Sequence, residues 1–145
     1  MTLSIITINY NNAEGLRKTL ASVASQTYPH SEHIIVDGGS TDSSVEILEA
    51  YPQPLPKRRG EITEGKFPTQ NPAHKVIWVS EKDNGIYNAM NKGIRMATGD
   101  YIQILNSGDI LAAPDVTERM MAALEAQQVK GERLEVKLFL PCAIF

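Results

Sequence analysis

Four short apolar runs, each released into a polar loop, constrain this chain more than anything else in it. Leu3 to Ile8 is β-branched and ends at Asn9, Tyr10, Asn11 and Asn12, as a buried strand ends at a polar turn. Ile34, Ile35 and Val36 form a second run that stops at Asp37-Gly38-Gly39-Ser40. Val76 to Val79 is a third, and Tyr101 to Leu105 a fourth, ending at Asn106-Ser107-Gly108-Asp109. Between and after them the apolar spacing changes to the helical period. Leu16, Leu20, Val23 and Ala24 recur over 13–25, and Val45, Ile47, Leu48 and Tyr51 follow a cap at Thr41 or Asp42. Ile86, Ala89, Met90, Ile94 and Ala97 share one side of a helix that Gly99 is expected to close. Pro114 opens a last helix carrying Val116, Met120, Met121 and Leu124.

Strands that are apolar throughout and alternate with helices predict an α/β fold. The expected sheet is open and mainly parallel, with helices on both faces. In such sheets ligands bind beyond the carboxyl ends of the strands, near a topological switch point. The polar loops after the strands are therefore where chemistry is expected.

Residues 52–74 break the pattern. They hold five of the eight prolines and the basic run Lys57-Arg58-Arg59, and they read as a long surface loop. The expected organisation is one domain over 1–130, with 131–145 as a C-terminal tail forming a strand or the remnant of a truncation. Its apolar run "VKLFLPCAIF" is too short to cross a bilayer, which takes roughly 20 apolar residues.

A net charge of −3 and a pI near 5.6 argue against nucleic acid as partner, which calls for a basic face. They leave room for an anionic small molecule, because a metal ion or a helix N-terminus supplies local positive charge. The single Cys142 permits no internal disulfide and suits a reducing, cytoplasmic compartment. Gly38-Gly39-Ser40 lacks the Gly-Lys-Ser/Thr ending of a Walker loop. His30, His33 and His74 lack zinc-ligand spacing.

Three strand ends carry groups of interest. Tyr10 offers a flat ring, Asp37 an acceptor for an imide N–H, and Asp109 a carboxylate for a hard divalent cation. Each also has a plain structural reading, as a turn or a cap. Parallel strands would bring all three to one crevice.

The residues resemble the family 2 glycosyltransferases, whose fold is the Rossmann-like GT-A type. "LSIITINYNN" is similar to their opening strand and nucleotide loop, and "HIIVDGGSTDSSVEIL" to their second strand, turn and helix. "WVSEKDNGIYNAMNKGIRMATGDYIQILNSGDIL" is similar to their central helix and metal-site strand. The resemblance spans roughly 3–125 without the loop. It implies a domain that binds a nucleotide-diphospho-sugar, with UDP-sugar favoured. Asn9, Tyr10, Asn11, Asp37, Gly38, Gly39, Asp83 and Ser107 would contact the nucleotide, with Asp37 receiving the base. Asp109 would tie Mn²⁺ or Mg²⁺ to the donor diphosphate. The implied acceptor is a glycan or lipid-linked hydroxyl, as in cell-surface polysaccharide synthesis, at the inner face of the membrane.

The sequence departs from the family pattern in three places. Ile8 and Asn9 replace the usual Pro-Thr of the first loop, Gly38 stands where the turn usually has a second acid, and Asn106 and Gly108 stand where carboxylates often occur. No catalytic base is identified. Only 36 residues follow Asp109, and Glu132 and Glu135 sit in no recognisable acceptor motif. A truncated transferase is the expectation. The alternatives are a non-catalytic nucleotide-binding or dimerisation module, its apolar tail driving a homodimer, and, ranked lower, a nucleotidyltransferase.

Overall fold

The computed structural model describes residues 1–29, 31–50, 63–65, 75–129 and 138–139. In chain order its elements are β1 (Leu3–Asn9), α1 (Ala13–Ala24), β2 (Ser31–Asp37), α2 (Ser44–Ala50) and β3 (Thr63–Gly65). Then come β4 (Lys75–Ser80), α3 (Ile86–Met96), β5 (Tyr101–Asn106), α4 (Val116–Val129) and β6 (Leu138–Phe139). The sheet runs β3-β4-β2-β1-β5-β6, with β4, β2, β1, β5 and β6 parallel and β3 antiparallel on the β4 edge. The open, mainly parallel sheet expected from the apolar runs is what forms.

Both faces of the central strands are covered, which is why β1 and β2 are buried at every position. On one face Leu16, Leu20 and Val23 of α1 and Ile47 and Leu48 of α2 pack on alternate strand residues, among them Leu3, Ile5, Ile35, Val76 and Trp78. Met121 and Leu124 of α4 close that side over Tyr101 and Leu105. On the opposite face Ile6, Ile8, Ile34, Val36, Ile77, Val79 and Ile104 meet α3. Several polar groups inside this frame are paired, whereas Trp78 Nε1 and Gln103 Oε1 are buried without a partner among the described residues. Glu32 accepts from the Ser4 hydroxyl at 2.6 Å and from the Thr98 N–H at 2.7 Å, and Thr7 meets the His33 ring at 2.7 Å.

Three expectations are corrected. The segment 52–74 is not loop throughout: residues 63–65 pair with Val76–Trp78 as β3, and the rest lies outside the described residues. A three-residue edge strand containing Thr, Glu and Gly carries too little apolar pattern to be read from sequence. Gly99 does not close α3. The helix ends at Met96, with Ala97 already extended, and Gly99 instead packs where a Cβ would lie 2.7 Å from the Ser4 backbone nitrogen. Finally, the expected apolar side of α3 is only partly buried: Ala89, Met90 and Ala97 pack on the core, and Ile86 and Ile94 do not. Ala89 and Gly93 are its buried residues, whereas Ile86 is 48% and Ile94 36% exposed. Small residues let the helix axis approach the sheet: a Cβ on Gly93 would come 2.5 Å from Ile6 Cγ2.

Candidate functional site

The strand register aligns the ends that matter. Asn9 pairs with Asp37, Asp37 with Ser80, and Ile8 with Asn106, so the loops after β1, β2, β4 and β5 leave the sheet at one level. Strand order reverses at β1, with β2 and β4 on one side and β5 on the other. A cavity of about 520 Å³ opens at that reversal, within the usual range for small-molecule sites. Its walls come from Ile8, Asn9 and Tyr10 after β1, Gly38 after β2, Lys82 and Asp83 after β4, Gly85 and Ile86 at the start of α3, and Asn106 and Ser107 after β5.

Of the residues expected from sequence, Asn9, Tyr10, Gly38, Asp83 and Ser107 line this cavity, whereas Asn11, Asp37, Gly39 and Asp109 are not among its lining residues. Asp37 has no exposed surface. Its Oδ1 accepts from Asn9 Nδ2 at 2.7 Å and Ser40 Oγ at 2.5 Å. Its Oδ2 accepts from the N–H of Gly39 at 3.2 Å, the N–H of Ser40 at 2.9 Å and Ser80 Oγ at 2.6 Å. Five donors from three strand ends converge on one carboxylate, which locks β1, β2 and β4 together at the floor of the site.

The paired glycines follow from the same crowding. Gly39 has φ +79, and a Cβ there would lie 3.0 Å from the Lys82 nitrogen. A Cβ on Gly38 would lie 2.9 Å from Asp83 Oδ2. Two residues without side chains therefore let the 81–83 segment close over the end of β2.

Asn11 ties the first two loops. It sits at φ 47, its N–H donates to Ser40 Oγ at 2.8 Å, and its Oδ1 accepts from the Thr41 N–H at 2.7 Å. Asp42 bridges the starts of α1 and α2, accepting from the N–H of Ala13 at 3.0 Å and of Ser44 at 2.9 Å. The Ser44 hydroxyl first, then the backbone N–H groups of Ser44 and Ala13, hold the Asp42 carboxyl below the usual carboxylate range, with burial opposing them.

The loop after β5 is held from α1. Asn12, the N-cap of α1, accepts from the Gly15 N–H and donates to the Ser107 carbonyl at 2.9 Å. Buried Thr19 donates to the Asp109 carbonyl at 2.7 Å and accepts from the Gly108 N–H at 2.9 Å. Gly108, at φ +107, turns the chain, and Asp109 Oδ2 reaches back to the N–H of cavity-lining Asn106 at 2.9 Å. The other carboxylate oxygen, Oδ1, has no protein partner among the described residues. Among those residues no group of three or more His, Cys, Asp or Glu is placed to hold a metal ion. The donor set thus fits a hard cation that takes one protein carboxylate and completes its shell from a bound diphosphate and water, and not a cation caged by protein alone.

Ile8, Lys82, Gly85, Ile86 and Asn106 line the cavity without being among the site residues that the sequence suggests. Lys82 and Gly85 flank Asp83 in a polar stretch, and Asn106 precedes Ser107, so neighbourhood was the only available signal. Ile86 falls on the apolar side of α3 in the sequence pattern, which gives no sign of a cavity. Lys82 is the one cation among the described lining residues, and α3 begins at the cavity without a side-chain cap. Both favour an anion.

The comparisons agree with this geometry. A family model described as glycosyl transferase family 2 matches residues 4–137, and the chain belongs to that family. It is 37% identical over 127 residues to an uncharacterized glycosyltransferase of Mycobacterium tuberculosis, spanning 87% of this chain and 41% of that protein. It is 33% identical over 119 residues to a PGL/p-HBAD biosynthesis glycosyltransferase of Mycobacterium bovis, spanning 82% and 40%. The chain therefore spans about two fifths of the length of these relatives. Among solved structures it is similar in fold to S. aureus TarS in complex with UDP-GlcNAc, with TM-score 0.66 at 22% identity over 88% of this chain and 32% of that one. A mannosyltransferase from Pyrobaculum calidifontis in complex with GDP-Man and Mn²⁺ gives TM-score 0.57 at 23% identity, over 78% and 29%. The fold is the GT-A type. No helix among the described residues is long and apolar enough to cross a membrane.

Proposed function

We propose that this chain is the donor-binding part of a glycosyltransferase, taking a nucleoside-diphospho-sugar, with UDP-sugar favoured, in the cavity at the strand ends. The observation that carries the reading is the convergence of the Asn9-Tyr10 loop, Asp83 and the Asn106-Ser107 loop on one cavity at the topological switch point. Tyr10, 64% exposed, offers a face for the base. Lys82 and the open start of α3 offset the diphosphate charge.

Asp109 would hold Mg²⁺ or Mn²⁺ through its unpartnered oxygen. Such a cation, when bound, neutralises charge that develops on the leaving diphosphate. The chain's own residues position that event: Asn12 and Thr19 fix the loop, and Asp109 fixes its own turn through Asn106. The acceptor would be a hydroxyl of a glycan or lipid-linked glycan, deprotonated by a carboxylate base. Glu132 and Glu135 lie outside the described residues.

Calorimetric titration with UDP in the presence of Mn²⁺ tests the proposal. Saturable binding that weakens at least tenfold in Asp109→Ala is expected. Failure of the wild type to bind, or equal binding by the variant, overturns it.

A further inference from the structure

Asp37 leaves the family-like turn with a problem. Its two oxygens already accept five hydrogen bonds, and it has no exposed surface. A carboxylate offers about four lone-pair sites, so none remains for a ligand. The next position, where a second acid would project, is Gly38.

The space above Gly38 is not empty. It is filled by the carboxylate of Asp83, whose Oδ2 lies 2.9 Å from where a Gly38 Cβ would be. Asp83 lines the cavity, is half-buried, and is oriented by its own turn, Oδ1 accepting from the Gly85 N–H at 3.0 Å. Its Oδ2 has no hydrogen-bond partner among the described residues. Beside it Asn9, 1% exposed and also on the cavity wall, has an Oδ1 with no partner. Hydrogen bonding fixes which way that amide points, since its Nδ2 is held by Asp37 at 2.7 Å. Asn9 Oδ1 is itself buried, so the acceptor this corner offers a ligand is Asp83 Oδ2, and whatever docks against it must donate.

Resting on the donor-site reading above, we infer that Asp83 is the residue that selects the nucleobase, accepting the N3–H of uracil through Oδ2. Gly38 is glycine so that this carboxylate, delivered from the β4 end, can stand where the turn lacks an acid. Only one of the two oxygens is available, and one acceptor matches the single N–H of an imide edge. Guanine presents two adjacent donors and calls for both oxygens, one of which Gly85 holds. Cytosine and adenine present a ring-nitrogen lone pair, which repels the carboxylate. Lys82 lines the same cavity and supplies a donor there.

The test compares UDP, CDP, GDP and 3-methyl-UDP, which lacks the N3–H, by calorimetry on the full chain with Mg²⁺. Wild type is expected to bind UDP at least tenfold more tightly than each of the others, the value of one hydrogen bond to a charged group. In Asp83→Asn the acceptor for Gly85 is kept and Oδ2 becomes a donor, so the UDP-over-CDP preference should vanish or reverse. A merely structural role for Asp83 would weaken all four ligands alike. A wild type that binds UDP and 3-methyl-UDP equally, one that prefers GDP, or a variant that keeps the UDP preference overturns the inference and leaves the donor site standing. Binding of no nucleoside diphosphate at all defeats the donor reading itself.

Discussion

Replacing Asp37 by Ala should cost stability before it costs anything else. The carboxylate is fully buried and receives two backbone N–H groups, two hydroxyls and one amide. On truncation the Ser40 and Ser80 hydroxyls can turn to other acceptors, and Asn9 Nδ2 keeps a weak 3.4 Å contact with Ser40 Oγ. The N–H groups of Gly39 and Ser40 cannot turn. One buried and one half-buried donor orphaned at about 1–3 kcal/mol each, with loosening of three strand ends, give a loss of about 3–5 kcal/mol. That is a large share of a typical 5–15 kcal/mol total. Asp37→Asn should cost far less, about 1–2 kcal/mol, because its Oδ can still serve the backbone pair. Asn9 can then turn its unpartnered Oδ1 toward the new NH₂. Urea unfolding followed by the fluorescence of the single, buried Trp78 measures both. An Ala variant within about 1 kcal/mol of wild type would refute the floor-locking role, since a lost buried acceptor costs at least that.

Thr19→Val keeps the shape and removes the hydroxyl that serves the Asp109 carbonyl and the Gly108 N–H. It should destabilise by about 1–3 kcal/mol and speed amide exchange across 107–109; unchanged exchange there would contradict the tethering of the loop from α1. Asp42→Ala should cost about 1 kcal/mol, as a lost cap does. Because the folded carboxyl titrates below its unfolded value of about 3.9, its stabilisation is complete above that pH and is lost as pH falls through the lowered folded value. Wild type should therefore lose more stability than Asp42→Asn between pH 5 and pH 3, and parallel losses would count against the assignment.

The sheet was legible because burial on both faces leaves no ambiguity in runs such as Ile34-Ile35-Val36, and because Leu16, Leu20 and Val23 keep one helical face. Where small residues set the contact, the pattern misled. Ala89 and Gly93, not Ile86 and Ile94, define the buried line of α3, since hydrophobic spacing weighs size and close approach weighs its absence. At the site, the strand ends bearing chemistry were readable, but which carboxylate faces outward was not. Asp37 receives donors from Asn9 and Ser80, aligned by strand register, and from its own turn at Gly39 and Ser40, whereas Asp83 receives only the Gly85 N–H among the described residues. Sequence spacing carries no trace of that.

Amide chemical-shift mapping of the isotopically labelled chain with UDP and Mg²⁺ tests the central claim most directly. The account expects the shifts to concentrate at residues 8–10, 82–86 and 106–109, and these amides to broaden when Mn²⁺ replaces Mg²⁺. Shifts confined to other surfaces, or none at saturating nucleotide, would contradict it.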